Sequence, residues 1–487
     1  MRRFWAIAAS VIGVIAIVVF ARALLVSASP VNSPTSASII IDSRGPANHL
    51  AQAIRFATVS YGGRAHEAEK FAALEAMRAW MEQTYPNFHR AATREVFDHS
   101  LLFVWKGRRD DLPPVLLMAH MDVVPVVPGT ERDWKHQPFS GDIADGFVWG
   151  RGALDDKFSL IMLLEAADRL AAANFTPERT IYIAFGQDEE VGGDRGTGVI
   201  AKALAARNVH FAWVMDEGGA IAEQPAPGIE QPMALVSVAE KGYLSLELVA
   251  HGQGGHSSRP TKDLAIARLN EAVLKVVRHP FRSGIDGVQA DKFAAIAPYA
   301  PFGQRLMISN LWLFGPLIER IMEAIPDGAA RLRTTIAPTM EQAGVKDNVL
   351  PPEARATINF RLHPRDSVAD VVAHVRRAIG DPKVDVNVLS ETRSEASGIA
   401  NLSGPAGKYL TDTIQQSFGG IPVAPDTTTG ATDSRHYLPI ADEVFRFAPF
   451  RLGPEDLGRV HGTDERAAVG DLGPAVGFYM RLIRNMK

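Results

Sequence analysis

The sequence predicts an α/β protein with a mainly parallel sheet, into which a smaller α+β domain is inserted. Three observations point there. Unbroken apolar runs at 115–119, 181–185 and 211–215 read as short strands buried on both faces, with 444–447 as a fourth. Helical patterns separate them, as at 158–173, where apolar residues recur at three- and four-residue spacing. From about 240 to 391 the period changes to two, which marks a different kind of sheet.

Each part can be justified in order. Strands alternating with helices indicate a parallel sheet covered by helices. In the second part, Ala356, Ile358, Phe360 and Leu362 alternate with Arg355, Thr357, Asn359 and Arg361, and 242–249 and 384–389 alternate likewise. A period of two leaves one wet face and is typical of antiparallel pairing. Helical patterns at 264–277 and 368–379 would cover the other face. The stretch 298–347 follows neither period clearly and is expected to hold extra helices, one near 317–324.

The bulk numbers agree with two domains: 487 residues with 46% hydrophobic composition exceed what one compact core usually takes. A formal net charge of −4 leaves no electrostatic footprint for nucleic acid. The chain has no cysteine, so disulfides, thiolate nucleophiles and thiolate metal sites are excluded.

At the N-terminus, Arg2 and Arg3 precede an apolar run from Phe4 to Phe20, which Arg22 interrupts and Ala23 to Val26 extend weakly. Such a run can span a bilayer as a helix, and the flanking arginines favour an exported body. Ser27-Ala28 before Ser29-Pro30 also fits a signal-peptidase site, although Arg22 lies unusually close to it. The expectation is residues 1–28 as membrane anchor or signal peptide, and 29–38 as linker. The first part of the main domain follows at 39–239, the inserted domain at 240–394 and the second part at 395–487. An anchor would leave the body on the periplasmic side of a bacterial inner membrane; cleavage would secrete it.

The polar residues at the strand ends carry the chemistry. The first strand runs into His120-Met121-Asp122, the second leads to Asp188-Glu189-Glu190, and the third ends in Asp216-Glu217-Gly218-Gly219. Open α/β sheets place their sites at the carboxyl ends of strands. Asp155-Asp156 stand before the helix at 158, where capping is the plain alternative, and His461 follows the fourth strand after a loop. Imidazoles with carboxylates and no thiolate suit zinc, cobalt or manganese. A bridging carboxylate could hold two such ions together.

These motifs resemble the dinuclear zinc peptidases of the M20 type, nearest to the carboxypeptidase S and N-acyl amino acid hydrolase branch. The resemblance covers the chain beyond its N-terminal segment. It implies a zinc-hydrolase catalytic domain with a ferredoxin-like lid or dimerisation domain, and two zinc ions. His120 and Asp216 would bind one ion, Glu190 and His461 the other, and Asp155 both. Asp122 would orient His120, Glu189 would be the general base, and the Asp155–Asp156 peptide would be cis. His256, in Gly254-Gly255-His256-Ser257-Ser258, would stabilise the tetrahedral oxyanion, sometimes from a second subunit of a homodimer. Asn348, Arg361 and Arg435 would contact the substrate, the arginines through its carboxylate. A plain loop around His256 and an exposed strand position for Arg361 remain as alternatives.

The function implied is hydrolysis of an amide or peptide bond beside a free carboxylate, in a peptide or an N-acyl amino acid. Two rivals remain: an aminopeptidase on a related di-zinc scaffold, which would need a free substrate amine, and a non-catalytic binding protein that keeps the fold.

Overall fold

The computed structural model describes residues 1–27, 39–63, 66–389 and 393–486. The linker expected at 29–38 lies outside them, as does Ala28 of the candidate cleavage motif.

The expected strands form the centre of a ten-stranded sheet. Ile181–Gly186, Val115–His120, Trp213–Asp216 and Val444–Arg446 lie side by side and run parallel. Beyond this parallel centre, antiparallel pairs join it on both sides, which makes the large sheet mixed. On one side Ser100–Trp105 pairs antiparallel with Ile181–Gly186, and Thr93–Phe97 forms its hairpin partner. Asp98, at φ 55°, sits in the two-residue connection, a loop length that only antiparallel neighbours can use. On the other side Met233–Glu240 joins antiparallel to Ala220–Ala222, while Val423–Thr428 pairs with it in parallel.

Helix Lys157–Ala172 is buried almost all round, beneath the sheet and beside helices Arg44–Ile54 and Val469–Asn485. Even its first residue is buried: Lys157 Nζ donates to Ala53 O and Phe56 O, carbonyls at and just past the end of helix Arg44–Ile54. That contact ties the start of the long helix to the layer below it, one residue after Asp156.

The period-two segment forms a separate four-stranded antiparallel sheet, in the order Thr335–Ala343, Glu353–Leu362, Gly242–His251, Val384–Val388. Leu246 faces Ile358 and Leu244 faces Phe360, so the alternating apolar residues share one face. Helices Ala265–Arg278 and Val368–Ile379 cover that face and close a core distinct from the main one. Ser367 and Asp370 form a reciprocal capping box at the start of the second helix, and Gly380 in the left-handed region ends it.

The unparsed stretch departs from expectation in one respect. It does hold helices, Phe302–Ile308, Leu311–Glu323 and Pro326–Leu332, but it also supplies the edge strand Thr335–Ala343. That strand is mostly exposed and carries Pro338 next to a register shift, which is where a sheet tolerates proline and where alternation is lost. At the N-terminus, Arg3–Leu25 is the one helix among the described residues long and apolar enough to cross a membrane, with mean hydropathy 2.6.

Candidate metal centre

Parallel register brings the candidate residues to one edge. Ala119 pairs with Phe185 and His120 with Gly186, so the His120 side chain and the loop carrying Glu189 and Glu190 leave the sheet together. Trp213–Asp216 ends beside them. From the far side, the turn 150–156 and the loop holding His461 close over the same place.

Asp155 lies between two histidines, with one carboxylate oxygen toward each. His120 Nε2 is 2.9 Å from Asp155 Oδ1, and His461 Nε2 is 3.0 Å from Asp155 Oδ2. Glu190 Oε2 stands 3.3 Å from His461 Nε2, and Glu217 Oε1 stands 3.3 Å from His120 Nε2. The ligand-type atoms fall into two overlapping groups, His120–Asp155–Glu190 and His120–Asp156–Glu217, each with its atoms within 4.8 Å. Asp156 belongs to the second group by distance, yet its Oδ2 faces the backbone N–H of His120 at 3.4 Å.

Asp216 is the expectation the geometry does not support. Its Oδ2 accepts the backbone N–H of Ser434 at 2.8 Å, and it is Glu217 that stands beside His120. The reason is the pleat: successive residues at a strand end point to opposite sides, so only one of the pair can face the centre. The Asp-Glu dipeptide was visible in the sequence; which member faces inward was not.

Buried carboxylates hold the frame. His120 Nδ1 lies 2.9 Å from Asp122 O and 3.5 Å from Asp122 Oδ1, which leaves Nε2 toward the centre. The Asp122 carboxylate also accepts the hydroxyl of Ser60 and the backbone N–H groups of Glu189 at 3.1 Å and Glu190 at 3.3 Å. Glu465, which sequence reasoning passed over, accepts from Arg151 Nη1 at 2.7 Å and from the backbone N–H groups of Gly152, Leu154 and Asp155. It clamps the turn that carries Asp155. The Asp155–Asp156 peptide is cis, as the resemblance implied.

The electrostatics suit a cation. Burial pushes the Glu189 and Glu217 carboxyls well above the usual carboxylate range, and neighbouring acids push the same way. Burial alone would push His120 down, but Glu217, Asp122 and Asp155 hold it well above the ordinary histidine value. Hydrogen bonding to Asp155 and Glu190 lifts His461 to about 10. Glu190 Oε1 is buried without a hydrogen-bond partner. Clustered acids that disfavour one another's charge, with an orphaned oxygen among them, form a site that a divalent ion would stabilise. The donors, imidazole and carboxylate, fit zinc, cobalt or manganese.

A cavity of about 800 Å³ opens from this cluster. Asp155, Glu189, Glu217 and His461 line its polar end, and Leu235, Phe450, Leu452, Leu457 and Val460 line its apolar body. His256 and Asn348 do not reach it. They sit together on the exposed two-stranded ribbon Gly255–His256 and Val349–Leu350, where Ser258 N donates to His256 Nδ1. Arg361 and Arg435 are not among the residues lining the cavity either. Arg361 stacks 4.6 Å from the centroid of the Tyr243 ring, and Arg435 donates to Gly192 O. Burial lowers the Arg361 pKa, and the nearby positive charge of Arg435 lowers it further.

Comparison with known proteins identifies the family of the chain. The model of peptidase family M20/M25/M40 matches residues 116–485. The chain belongs to that family. It is 37% identical over 446 residues to "Probable carboxypeptidase S-like 2" of Dictyostelium discoideum, covering 90% of this chain and 84% of that protein. It is also 37% identical over 441 residues to "N-fatty-acyl-amino acid synthase/hydrolase PM20D1" of Mus musculus, covering 90% and 86%. Among solved structures, the M20 family metallo-carboxypeptidase Sso-CP2 of Sulfolobus solfataricus superposes with TM-score 0.65 at 17% identity, covering 90% of this chain and 98% of that one. Human carnosine dipeptidase 1 gives TM-score 0.60 at 15% identity, covering 91% and 96%. The M20 chain described here is therefore a metal-dependent amide hydrolase.

Proposed function

We propose that this M20 enzyme cleaves the amide bond of N-acyl amino acids, or of short peptides, on the acyl side of a free carboxylate. The observation that carries this reading is the cavity: its polar end is the ligand cluster and its body is apolar, so the scissile carbonyl and a hydrocarbon group fit one after the other. The names of the relatives in M. musculus and D. discoideum point to the same two substrate classes.

In this reading His120 and Glu217 would hold one zinc-type ion, Glu190 and His461 a second, and Asp155 would serve both. Bound there, such ions would supply Lewis acidity to the carbonyl and acidity to a water. Glu189 accepts the proton of the attacking water on its carboxylate and returns it to the leaving nitrogen. Asp122 keeps His120 in one tautomer, and Glu465 keeps Asp155 in place. Arg361 and Arg435 grip the substrate carboxylate, whose charge relieves their mutual repulsion. His256 stabilises the charge on the carbonyl oxygen after closure of its own domain or from a second copy of the chain. Helix Arg3–Leu25 anchors the enzyme with its body on the exported side.

The test is a panel of N-acyl amino acids and dipeptides, each with a free or amidated carboxyl end and a free or blocked amine, with and without a chelator. Turnover should require the free carboxylate, tolerate a blocked amine and stop on chelation. Equal turnover of the amidated substrates, or a requirement for a free amine, would overturn the substrate assignment.

A further inference from the structure

The helical segment between the two sheets exposes apolar side chains that the proposed chemistry does not use. On helix Leu311–Glu323, Leu313, Leu317 and Ile321 follow one another at four-residue spacing, and Ile325 continues the line just past its end. That spacing puts them on one face. Leu317, Ile321 and Ile325 are each 50–53% exposed, and Trp312 and Phe302 of the same helical segment are exposed as well. An amphipathic helix normally turns this face inward; here Gly315 and Ile318 are the buried residues instead. So long a contiguous apolar exposure needs a partner.

The N-terminal helix indicates which partner. Among the described side chains of helix Arg2–Leu25, only Val19 and Ala23 are buried, one turn apart. They pack on the same segment: Asn310 Nδ2 donates to Val19 O at 3.1 Å, and the Phe20 and Phe302 rings lie 6.1 Å apart. Residues 3–18 project free of the body; at 1.5 Å per residue they extend roughly 24 Å, against a hydrocarbon core of about 30 Å. The point of contact therefore falls near the membrane boundary on the body's side. Arg22 and Trp312 line one groove there, a pairing of residue types that favours such boundaries.

The same segment borders the cavity. Gln304 Nε2 donates to Pro227 O at 3.0 Å, and Pro227 lines the cavity. Arg331, on the helix Pro326–Leu332 that packs against Leu311–Glu323, lines it as well.

We propose that the face formed by Phe302, Trp312, Leu313, Leu317, Ile321 and Ile325 rests in the interfacial layer of a lipid bilayer beside the N-terminal helix, so that a membrane-borne acyl chain enters the cavity from the lipid. The docking rests on the reading of Arg3–Leu25 as a membrane anchor and on the geometry of the helices packed beside it. The delivery of an acyl chain rests on the substrate reading above.

Because the chain has no cysteine, single labels can be placed cleanly in the full-length protein. Nitroxides at Leu317→Cys, Ile321→Cys and the exposed loop position Glu131→Cys are compared in phosphatidylcholine–phosphatidylglycerol vesicles. The first two should be several-fold more accessible to oxygen, relative to a water-soluble nickel complex, than the third. Ratios equal to that of position 131 would overturn the proposal. So would dipolar broadening between labels on different copies, which would mean that a second chain covers the face. In the activity arm, the double variant L317D/I321D should lose about tenfold in turnover of a long-chain N-acyl amino acid carried in the vesicles, with no change on its soluble N-acetyl counterpart. Equal turnover of both by variant and wild type would overturn the delivery role. Failure of the wild type on either substrate would refute the substrate reading and leave the labelling result to decide the docking. If the double variant misfolds, the labelling result decides the docking, and L317S alone repeats the delivery comparison.

Discussion

Glu465 Oε1 accepts the backbone N–H of Asp155 at 3.1 Å across a separation of 310 positions. The same carboxylate binds Arg151 and two more backbone N–H groups, so one buried acid fixes the turn that aims Asp155 between the histidines.

Glu465→Gln should therefore destabilise the fold as well as the centre. It leaves the Arg151 guanidinium buried without its counter-charge, which typically costs about 3–5 kcal/mol. Denaturant unfolding of the full chain should show a loss of that order, and metal analysis should show reduced content. Unchanged stability would remove the clamp role.

Glu217→Gln and Asp216→Asn should behave differently although they are neighbours. Glu217→Gln should lower metal content, because its oxygen stands beside His120. Asp216→Asn should retain metal, because its carboxylate instead accepts from Ser434 N. The reverse pattern in metal analysis would restore Asp216 as the ligand.

Glu189→Gln should keep both its metal and its fold and lose turnover by about 10²–10⁴-fold, the usual contribution of general acid–base catalysis. Activity near wild type would assign the proton transfer elsewhere.

Arg361→Ala and Arg435→Ala should each lower kcat/KM by about 10–100-fold through KM, the value of a charge-assisted hydrogen bond of roughly 1.5–3 kcal/mol. Arg361→Lys should not restore it, since an ammonium lacks the planar fork. A loss confined to kcat would argue against carboxylate binding.

Much of this was legible because it is local. Apolar runs, the change of period near 240 and the polar strand ends place His120, Asp155, Glu190 and His461 at one edge, where the structure brings them together. Strand Thr335–Ala343 escaped because an exposed edge with Pro338 carries no alternation. Glu465 escaped because its partners are mostly backbone N–H groups, which leave no mark on residue type.

By itself, then, the sequence settled the kinds of donor, their order and the strands that deliver them, since residue type and periodicity are properties of neighbouring positions. Only the tertiary structure decided that Glu217 rather than Asp216 turns toward His120, that Glu465 holds the Asp155 turn, and that a stripe of leucine and isoleucine faces outward. Each of those depends on which side of an element is covered by segments distant in the chain, and that is set by long-range packing.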